Sequence, residues 1–223
     1  MKKSFPEPRS HINNSTEFVS EIKGSKLNND DMFISLNVSS MFTNVTGELV
    51  IKGLEKRAHL IQRKCKIPFD EIIRCTRFYL TIEFLFSIIQ LYKQIRGCSM
   101  GPPISPLFAD IVMEDLEIAC LKNLDKEYIC KITNYKRYVD DTFLIIDKKT
   151  CRFCFDIIKN YDKNLSFTHE VEIYGCLNFL NISVLRDKNS ISTNWYRKEI
   201  ASGRILHFYT APPIHHKKNI YSF

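Results

Sequence analysis

Two adjacent aspartates, Asp140 and Asp141, lie in the middle of the segment YKRYVDDTFLII, which begins at Tyr135. The flanking residues are β-branched, aromatic and apolar, which is typical of two β-strands joined by a short turn. Burying an unpaired carboxylate costs several kcal/mol of free energy. A hairpin with two carboxylates at its tip therefore indicates a cation site. The alternative interpretation is a solvated type I or I′ turn, in which aspartate is common.

The composition indicates a folded globular protein. The chain has 223 residues, of which 44% are hydrophobic and 26% charged. These values exclude the disordered, collagenous and membrane classes. The longest apolar run, FYLTIEFLFSII, is interrupted by Glu83 and is too short to cross a bilayer. The amino terminus lacks the apolar core of a secretory signal. We therefore expect an intracellular protein with no membrane partner, with nucleus and cytoplasm left open.

Charge and cysteine usage add two expectations. A net charge of +7 is a modest hint of a polyanionic partner. The eight cysteines are expected to be reduced thiols. Cys151 and Cys154 have the C-x-x-C spacing, but no second pair with ligand spacing follows, so we predict inward-facing cysteines on a helix and no zinc site.

The hydrophobic pattern predicts helices alternating irregularly with strands. NNSTEFVSEIKGS predicts a short helix, and DDMFISLNVSSMF predicts a strand. One amphipathic helix is predicted from Glu48 to Arg63, and a second begins at Pro68. IEFLFSIIQLYKQI predicts strands with a turn, and GCSMGPPISP predicts a loop. The helix LFADIVMEDLEIAC after this loop has four predicted core residues, namely Leu107, Ile111, Leu116 and Ile118.

The second half of the chain is richer in strands. KITNYKRYVDDTFLIID predicts a hairpin, Thr150 is the predicted cap of the next helix, and three strand-like runs follow between Ser166 and Lys198. The order lacks the regular strand–helix alternation of a doubly wound sheet. The predicted fold class is α+β, with helices backing a mostly antiparallel sheet.

Three segments give the Asp-Asp turn a context. The strand MFISLNVSSMFTNV would place Asn37 near the doublet, the loop GCSMGPPISP lets backbone approach a ligand closely, and Lys136-Arg137 precede the turn. In this order the segments resemble motifs A, B and C of the reverse transcriptase palm. Tyr138-Val139-Asp140-Asp141 matches the Y-x-D-D box of that family. The most similar subgroup is the Penelope-like retroelement polymerases, whose DVVSLFTNIP and PMGSPLSP correspond to NVSSMFTNVT and SMGPPISP.

The resemblance covers the chain from about His11 to Lys218. LNFLNISVLR resembles the primer-grip hairpin, and TNWYRKEIASGRILHFYTAPPIHHKK resembles the start of the thumb. It implies three regions: residues 1–30 as residual fingers and lead-in, 31–187 as palm, and 188–223 as the end of the primer-grip hairpin and a partial thumb. Only about thirty residues precede motif A, so we expect a shortened copy with the fingers largely missing.

The family chemistry is RNA-directed DNA synthesis by two-metal nucleotidyl transfer. The resemblance implies that Asp140, Asp141 and residue 37 form the catalytic set, with Mg²⁺ (or Mn²⁺) held by the two aspartates. It implies nucleotide contacts for Phe42, Met100 and Gly101, of which Phe42 would select deoxynucleotides. The expected partners are an RNA or DNA template with its primer, and deoxynucleoside triphosphates.

The resemblance also implies contacts with primer and template. The residues concerned are Tyr138, Phe179, Leu180, Arg197, Lys198 and Arg204. Lys217 and Lys218 would extend the same basic face, together with His207, His215 and His216. Each of these charges has the alternative of an ordinary solvated surface position.

The sequence departs from the family at its first catalytic position. Position 37 is asparagine, which supplies a neutral carbonyl where a charge is expected. A unit charge pair about 4 Å apart is worth about 4 kcal/mol at an effective dielectric near 20, or about a thousandfold in rate. Asn181, Pro102 and Glu199 are further departures. We expect crippled catalysis in a decaying retroelement copy that still binds duplex. The alternatives are a non-catalytic nucleic-acid-binding pseudoenzyme and an unrelated α+β protein with a coincidental turn.

Overall fold

The computed structural model describes residues 8, 10–82, 84–86, 91–126 and 132–198. Seven helices lie in these ranges: α1 (Ser15–Ile22), α2 (Met41–Asn44), α3 (Gly47–Lys56), α4 (Ala58–Lys64), α5 (Phe69–Thr81), α6 (Ser105–Lys126) and α7 (Cys151–Lys159). Nine strands accompany them in the same ranges: β1 (Asp31–Ser39), β2 (Phe84–Phe86), β3 (Leu91–Lys93), β4 (Ile132–Tyr138), β5 (Asp141–Asp147), β6 (Ser166–Val171), β7 (Cys176–Phe179), β8 (Ile182–Asp187) and β9 (Ser190–Trp195).

The principal sheet has four strands in the order β4-β5-β1-β6, and every pairing in it is antiparallel. Residues directly opposite each other on antiparallel strands point to the same face. The alternation along β1 therefore divides the sheet into two faces. Ile34, Leu36 and Val38 belong to one apolar cluster, while Phe33 belongs to another.

Each face of the sheet packs against a different layer. The larger cluster joins β1 to helices α3, α6 and α7 through residues such as Leu54, Phe108 and Ile158. The smaller cluster joins Phe33 and Phe143 to α1 and to the three-stranded sheet β7-β8-β9. Because both faces are covered, the central strands β1 and β5 are buried through most of their length, whereas the edge strand β6 is exposed at five of its six residues. Asn37 and Asp141 lie opposite each other near one end of the two central strands.

The observed elements confirm the predicted class of helices combined with an antiparallel sheet. The predicted hairpin around the Asp-Asp turn and the helix after the Gly/Pro-rich loop are both present. The two short strands β2 and β3 pair antiparallel, as the aromatic segment predicted. Cys154 is buried and Cys151 packs against the larger cluster, which agrees with inward-facing cysteines. The cysteines of the described ranges are free thiols.

Several predicted details are wrong. The single helix predicted from Glu48 to Arg63 is two helices that meet at Arg57, because the Arg57 backbone has φ −103° and ψ 9° and leaves the α-helical conformation. The Arg57 side chain pairs with Glu114 and Asp115 of α6. Ile118 is 41% exposed and not a core residue. Leu107 is only partly buried.

The second half of the chain contains more strands than the sequence pattern predicts. Four strands, not three, lie between Ser166 and Lys198, because LNFLNISVLR turns back at Leu180-Asn181 and forms both β7 and β8. Thr150 occupies the predicted cap position of α7, but its hydroxyl donates to the Asp147 carbonyl. In the described ranges, we find no helix with the length and apolarity needed to traverse a bilayer.

Candidate active site

The strand register brings position 37 to the acidic doublet. Asn37 of β1 lies directly opposite Asp141 of β5, and the Val38 amide donates to the Asp140 carbonyl at 3.3 Å. Asn37 and Asp141 therefore point to the same face of the sheet from neighbouring strands. The predicted neighbourhood of position 37 and the doublet is confirmed. The alternative of an unrelated protein with a coincidental Asp-Asp turn would be favoured by a large separation of Asn37 from the doublet, which is not what the strand register gives.

The turn itself differs from both types predicted for a solvated tip. Tyr138 pairs with Asp141, so the two central residues are Val139 and Asp140. Val139 has φ +55°, and Asp140 is not among the residues with positive φ. These signs match a type II′ turn, whose first central position favours glycine. A β-branched residue in the left-handed region costs about 1–2 kcal/mol, and such strain concentrates at functional sites.

A cavity of about 300 Å³ lies in front of this turn. It is lined by residues of β1, β5, β6 and the β7–β8 hairpin, and by the segment after β9. Among the residues predicted as functional, the lining includes Asn37, Asp141, Phe179, Leu180 and Lys198. The structure thus brings predicted residues as far apart in sequence as Asn37 and Lys198, which are separated by 161 positions, around one cavity.

The β7–β8 hairpin borders the cavity with a second strained turn. Leu180 and Asn181 have φ +47° and +64°, the signs of a type I′ turn, in which leucine is unfavourable. The Tyr196 amide donates to the Asn181 carbonyl at 2.8 Å and closes this side of the cavity. Phe179 is buried in the smaller apolar cluster, so its ring anchors the hairpin to the sheet.

Sequence reasoning missed several residues of the cavity. Glu170 and Thr168 lie on β6 with their side chains on the same face as Asn37, and Asn178 and Tyr196 also contribute to the lining. The alternation of polar residues along β6 is a signal for one solvent-facing side. The pairing of β6 with β1 has no local signal, because it depends on a contact across more than 120 residues.

The electrostatics of the cavity concentrate on Asp141. Burial raises the pKa of Asp141 above its ordinary value, and repulsion from Asp140 and Glu170 adds to the rise, while Lys198 opposes it. The Lys198 ammonium therefore offsets only part of the effect that burial and the two neighbouring acidic groups have on the pKa of Asp141.

The donor set permits a hard cation but is short of one charge. Asp140 and Asp141 offer carboxylates and Asn37 offers an amide oxygen beside them, all of which suit Mg²⁺ or Mn²⁺. Within the described ranges, no three His, Cys, Asp or Glu side chains are grouped to hold a metal ion. With an aspartate at position 37, a third carboxylate would face Asp141. Asn37 offers an oxygen at this position but no charge.

The predicted nucleotide-binding residues lie outside the cavity lining. Phe42 is in α2 and not at the end of a strand, and its carbonyl accepts a bond of 2.7 Å from the Cys98 amide. Gly97 has φ +83°, and a Cβ there would lie 2.6 Å from that same carbonyl oxygen. The close approach therefore ties the Gly/Pro-rich loop to the segment after β1. In that loop Met100 is 74% exposed and Gly101 has open space around it.

The predicted primer and template residues have different environments. Tyr138 pairs with Asp141 across the hairpin and packs against the smaller apolar cluster. Arg197 and Lys198 are exposed, and only Lys198 of the two lines the cavity. Arg204 lies outside the described residues, as do Glu199, Lys217, Lys218 and the three histidines of the basic face.

The basic dipeptide before the turn divides between the two faces of the sheet. Lys136 forms an ion pair of 2.6 Å with Glu21 of α1. Arg137 is fully buried and pairs with Glu117 and Asp110 of α6. Burial acts to lower the pKa of Arg137, but the two carboxylates carry it above the ordinary value. Both basic residues before the turn are therefore paired with carboxylates of neighbouring helices.

Solved structures of telomerases are similar to this chain in fold. The apo telomerase of Candida tropicalis truncated from its C-terminal domain matches with a TM-score of 0.61 at 14% identity, over 83% of this chain and 41% of that chain. The telomerase of Candida albicans in complex with the TWJ fragment of telomeric RNA matches with a TM-score of 0.61 at 14% identity, over 86% of this chain and 37% of that chain. The Candida tropicalis telomerase in complex with the TWJ fragment of telomeric RNA matches with a TM-score of 0.59 at 15% identity, over 82% of this chain and 34% of that chain.

These likenesses bear on the fold alone, because the identities are low. No family model and no curated protein matches the chain. The chain spans 41% or less of the length of these telomerase chains. Telomerases are reverse transcriptases, and this chain has a reverse-transcriptase-like fold.

Proposed function

We propose that the chain is the palm region of a retroelement reverse transcriptase of the Penelope-like kind, with nucleotidyl transfer weakened by Asn37. The observation that carries this proposal is the direct pairing of Asn37 with Asp141 at the mouth of a cavity shared with the β7–β8 hairpin. The reverse-transcriptase-like fold supports it. The motif spellings NVSSMFTNVT and SMGPPISP support the Penelope-like assignment.

In this proposal, Asp140 and Asp141 are the residues that would hold Mg²⁺ or Mn²⁺. The ion would supply charge neutralisation for a triphosphate and a lowered pKa for the primer hydroxyl. The chain's own residues position the nucleic acid. The Leu180-Asn181 turn borders the space where a primer end would lie, and Lys198 places a cation beside it. The tight packing of Gly97 on Phe42 would hold the nucleotide side of the site against the doublet strand.

Asn37 determines how much activity this arrangement retains. Its side chain is exposed and faces Asp141, so its amide oxygen can still contact a shared ion. The missing charge costs up to about 4 kcal/mol of transition-state stabilisation, or about a thousandfold in rate. Exposure to solvent reduces this figure, because water screens and partly replaces the missing ligand.

A second function is favoured by the same residue. With one charge missing from the metal site and a net charge of +7, the chain can bind a primer–template duplex without extending it. This pseudoenzyme would keep the cavity and the basic residues while its ion affinity is low. Binding that weakens steeply with salt is expected for both functions, whereas primer extension is expected only for the first.

Primer extension on an RNA template tests the proposal. The full chain, the Asn37→Asp variant and an Asn37→Asp, Asp141→Asn double variant are compared in Mg²⁺ and in Mn²⁺. We expect weak or undetectable extension by the wild type, extension at least about tenfold faster by Asn37→Asp, and none by the double variant. If Asn37→Asp gives no extension while all three proteins bind duplex, the pseudoenzyme function replaces the polymerase. If none binds duplex, both functions are wrong.

A further inference from the structure

Arg137 is the largest fully buried side chain of the described residues, and it lies immediately before the Y-x-D-D box. Its Nη1 donates both to the Val139 carbonyl and to Asp110 of α6, each at 3.1 Å. Its Nε donates to Glu117, which lies about two helical turns after Asp110 on α6. One guanidinium therefore joins the strained turn to the helix that follows the Gly/Pro-rich loop.

The backbone of Arg137 is held from the other side by the N-terminal segment. The Arg137 amide donates to the Ser10 carbonyl at 2.7 Å, and the Ile12 amide donates to the Arg137 carbonyl at 3.0 Å. The Ser10 hydroxyl also donates to Glu117 at 2.6 Å. Ser10, Arg137 and Glu117 thus form one closed hydrogen-bonded network that holds both the backbone and the side chain of Arg137. Among the described residues, the buried Nη2 of Arg137 has no hydrogen-bond partner.

The bond to the Val139 carbonyl has a specific geometric consequence. The central peptide of the turn is the one between Val139 and Asp140, so the Val139 oxygen reports which way that peptide faces. Types I′ and II′ differ by a flip of this peptide, which changes the sign of φ at the second central residue. Aspartate tolerates positive φ, so the sequence alone permits both turns. An anchored Val139 oxygen selects one of them, in which Asp140 keeps negative φ.

We infer that Arg137 is a positioning residue for the acidic doublet. By anchoring the Val139 carbonyl to Asp110 and Glu117 of α6, it selects the turn in which Asp140 keeps a negative φ, and so fixes the backbone from which the Asp140 carboxylate projects. The consequence for ion binding rests on the proposed function, whereas the selection of the turn rests on the hydrogen bonds alone.

A second buried arginine provides a matched control. Arg57 is also buried, also pairs with two carboxylates of α6, and also donates to a backbone carbonyl, that of Gly53. Its partners Glu114 and Asp115 are on the same helix as those of Arg137. Within the described ranges, the Arg57 guanidinium donates to Gly53, Glu114 and Asp115, none of which belongs to the turn. Changing either arginine to lysine removes a comparable set of buried bonds, but only one of the two changes releases Val139.

Amide hydrogen exchange measures the release of the turn. The Val38 amide, which donates to the Asp140 carbonyl, reports the tip, and the Leu144 amide in the middle of β5 reports the core. In Arg137→Lys we expect the tip-to-core ratio of exchange rates to rise about 10- to 100-fold, as for loss of one hydrogen bond from a charged donor. The three-bond HN–Hα coupling constant of Asp140 should shift toward the value of a residue with positive φ. In Arg57→Lys both amides exchange faster together and the ratio stays unchanged.

A milder variant keeps the test available if Arg137→Lys does not fold. The Asp110 side chain is 39% exposed, and the bond it accepts is on the same Nη1 that reaches Val139. Asp110→Asn should therefore fold and raise the tip-to-core ratio by a smaller factor. A ratio that stays unchanged in every folded variant of Arg137 and Asp110 overturns the inference.

Terbium binding separates this inference from the proposed function. Tb³⁺ luminescence is measured on the full chain with Asn37→Asp as background, and Asp141→Asn added to it reports the part of the signal due to the doublet. We expect Arg137→Lys to weaken the doublet-dependent affinity at least about tenfold and Arg57→Lys to leave it unchanged. Equal weakening in both would overturn the positioning role. A signal insensitive to Asp141→Asn would contradict the proposed metal site, and amide exchange alone would then decide the role of Arg137.

Discussion

Replacing Asn37 with aspartate adds a carboxylate directly opposite Asp141, on the neighbouring strand. The expected effect has opposite signs without and with a divalent cation. Without the cation, the new charge repels Asp140 and Asp141 and lowers stability. With the cation, the third carboxylate becomes a ligand, and stability exceeds that of the wild type. This reversal distinguishes an incomplete metal site from a surface turn that merely tolerates acidic residues.

The magnitude follows from the strand spacing. Cβ atoms of directly opposed residues on antiparallel strands are about 4.5–5.5 Å apart. Two like charges at about 5 Å repel by about 0.8 kcal/mol in water and about 3 kcal/mol at an effective dielectric of 20. Because Asn37 is exposed, we expect a loss of about 1–2 kcal/mol, which lowers the melting temperature by about 2–8 °C. A divalent ion carries twice the charge, so its affinity should rise at least about tenfold.

Thermal melting with and without Mn²⁺ measures both effects. Thr168→Asp is the matched control, since Thr168 faces Asn37 from β6 and lies two strand spacings, about 10 Å, from Asp141. Glu170 of the same strand makes the smallest contribution to the raised pKa of Asp141, so we expect Thr168→Asp to destabilise the protein less than Asn37→Asp does and to gain less from Mn²⁺. The reasoning is refuted if Asn37→Asp melts at the wild-type temperature in ion-free buffer and gains no more from Mn²⁺ than Thr168→Asp does.

Three further predictions follow from the same geometry. The raised pKa of Asp141 means that folding favours its neutral form, so its stabilising contribution is complete below the unfolded pKa of about 3.9 and is lost as pH rises through the folded pKa. The melting temperature of Asp141→Asn should therefore equal that of the wild type at low pH and exceed it at pH 7 in ion-free buffer. Equal melting temperatures at pH 7 would contradict this. In a denaturant titration, Gly97→Ala should lower the free energy of unfolding by at least about 2 kcal/mol, because the new Cβ would meet the Phe42 carbonyl. Gly101→Ala should lower it less, because that position has only the backbone strain of φ +130°. Lys198→Gln should weaken duplex binding and lower the slope of log affinity against log salt by about 1, and an unchanged slope would place Lys198 away from the phosphates.

The sequence alone was sufficient where local patterns carry the information. The Asp-Asp hairpin, the loop of glycine and proline, and the helix after it follow from alternation, turn residues and helical periodicity. The chemical types of the candidate site were also visible, including the neutral residue at position 37. Because position 37 carries a neutral residue where the resemblance implies an acidic one, the proposal of a weakened metal site could be made before any contact was known.

The tertiary structure alone decided which residues share the cavity and how the turn is held. Glu170, Asn178 and Tyr196 reach the cavity through strand pairings and turns whose partners are distant in sequence, and no local pattern encodes such a pairing. Likewise, Arg137 looks like a surface charge beside Lys136, but the alternation of β4 directs it to the helical face, where two carboxylates of α6 make its burial favourable. A buried charge is stable only where partners from elsewhere in the chain surround it, so its role depends on the assembled fold.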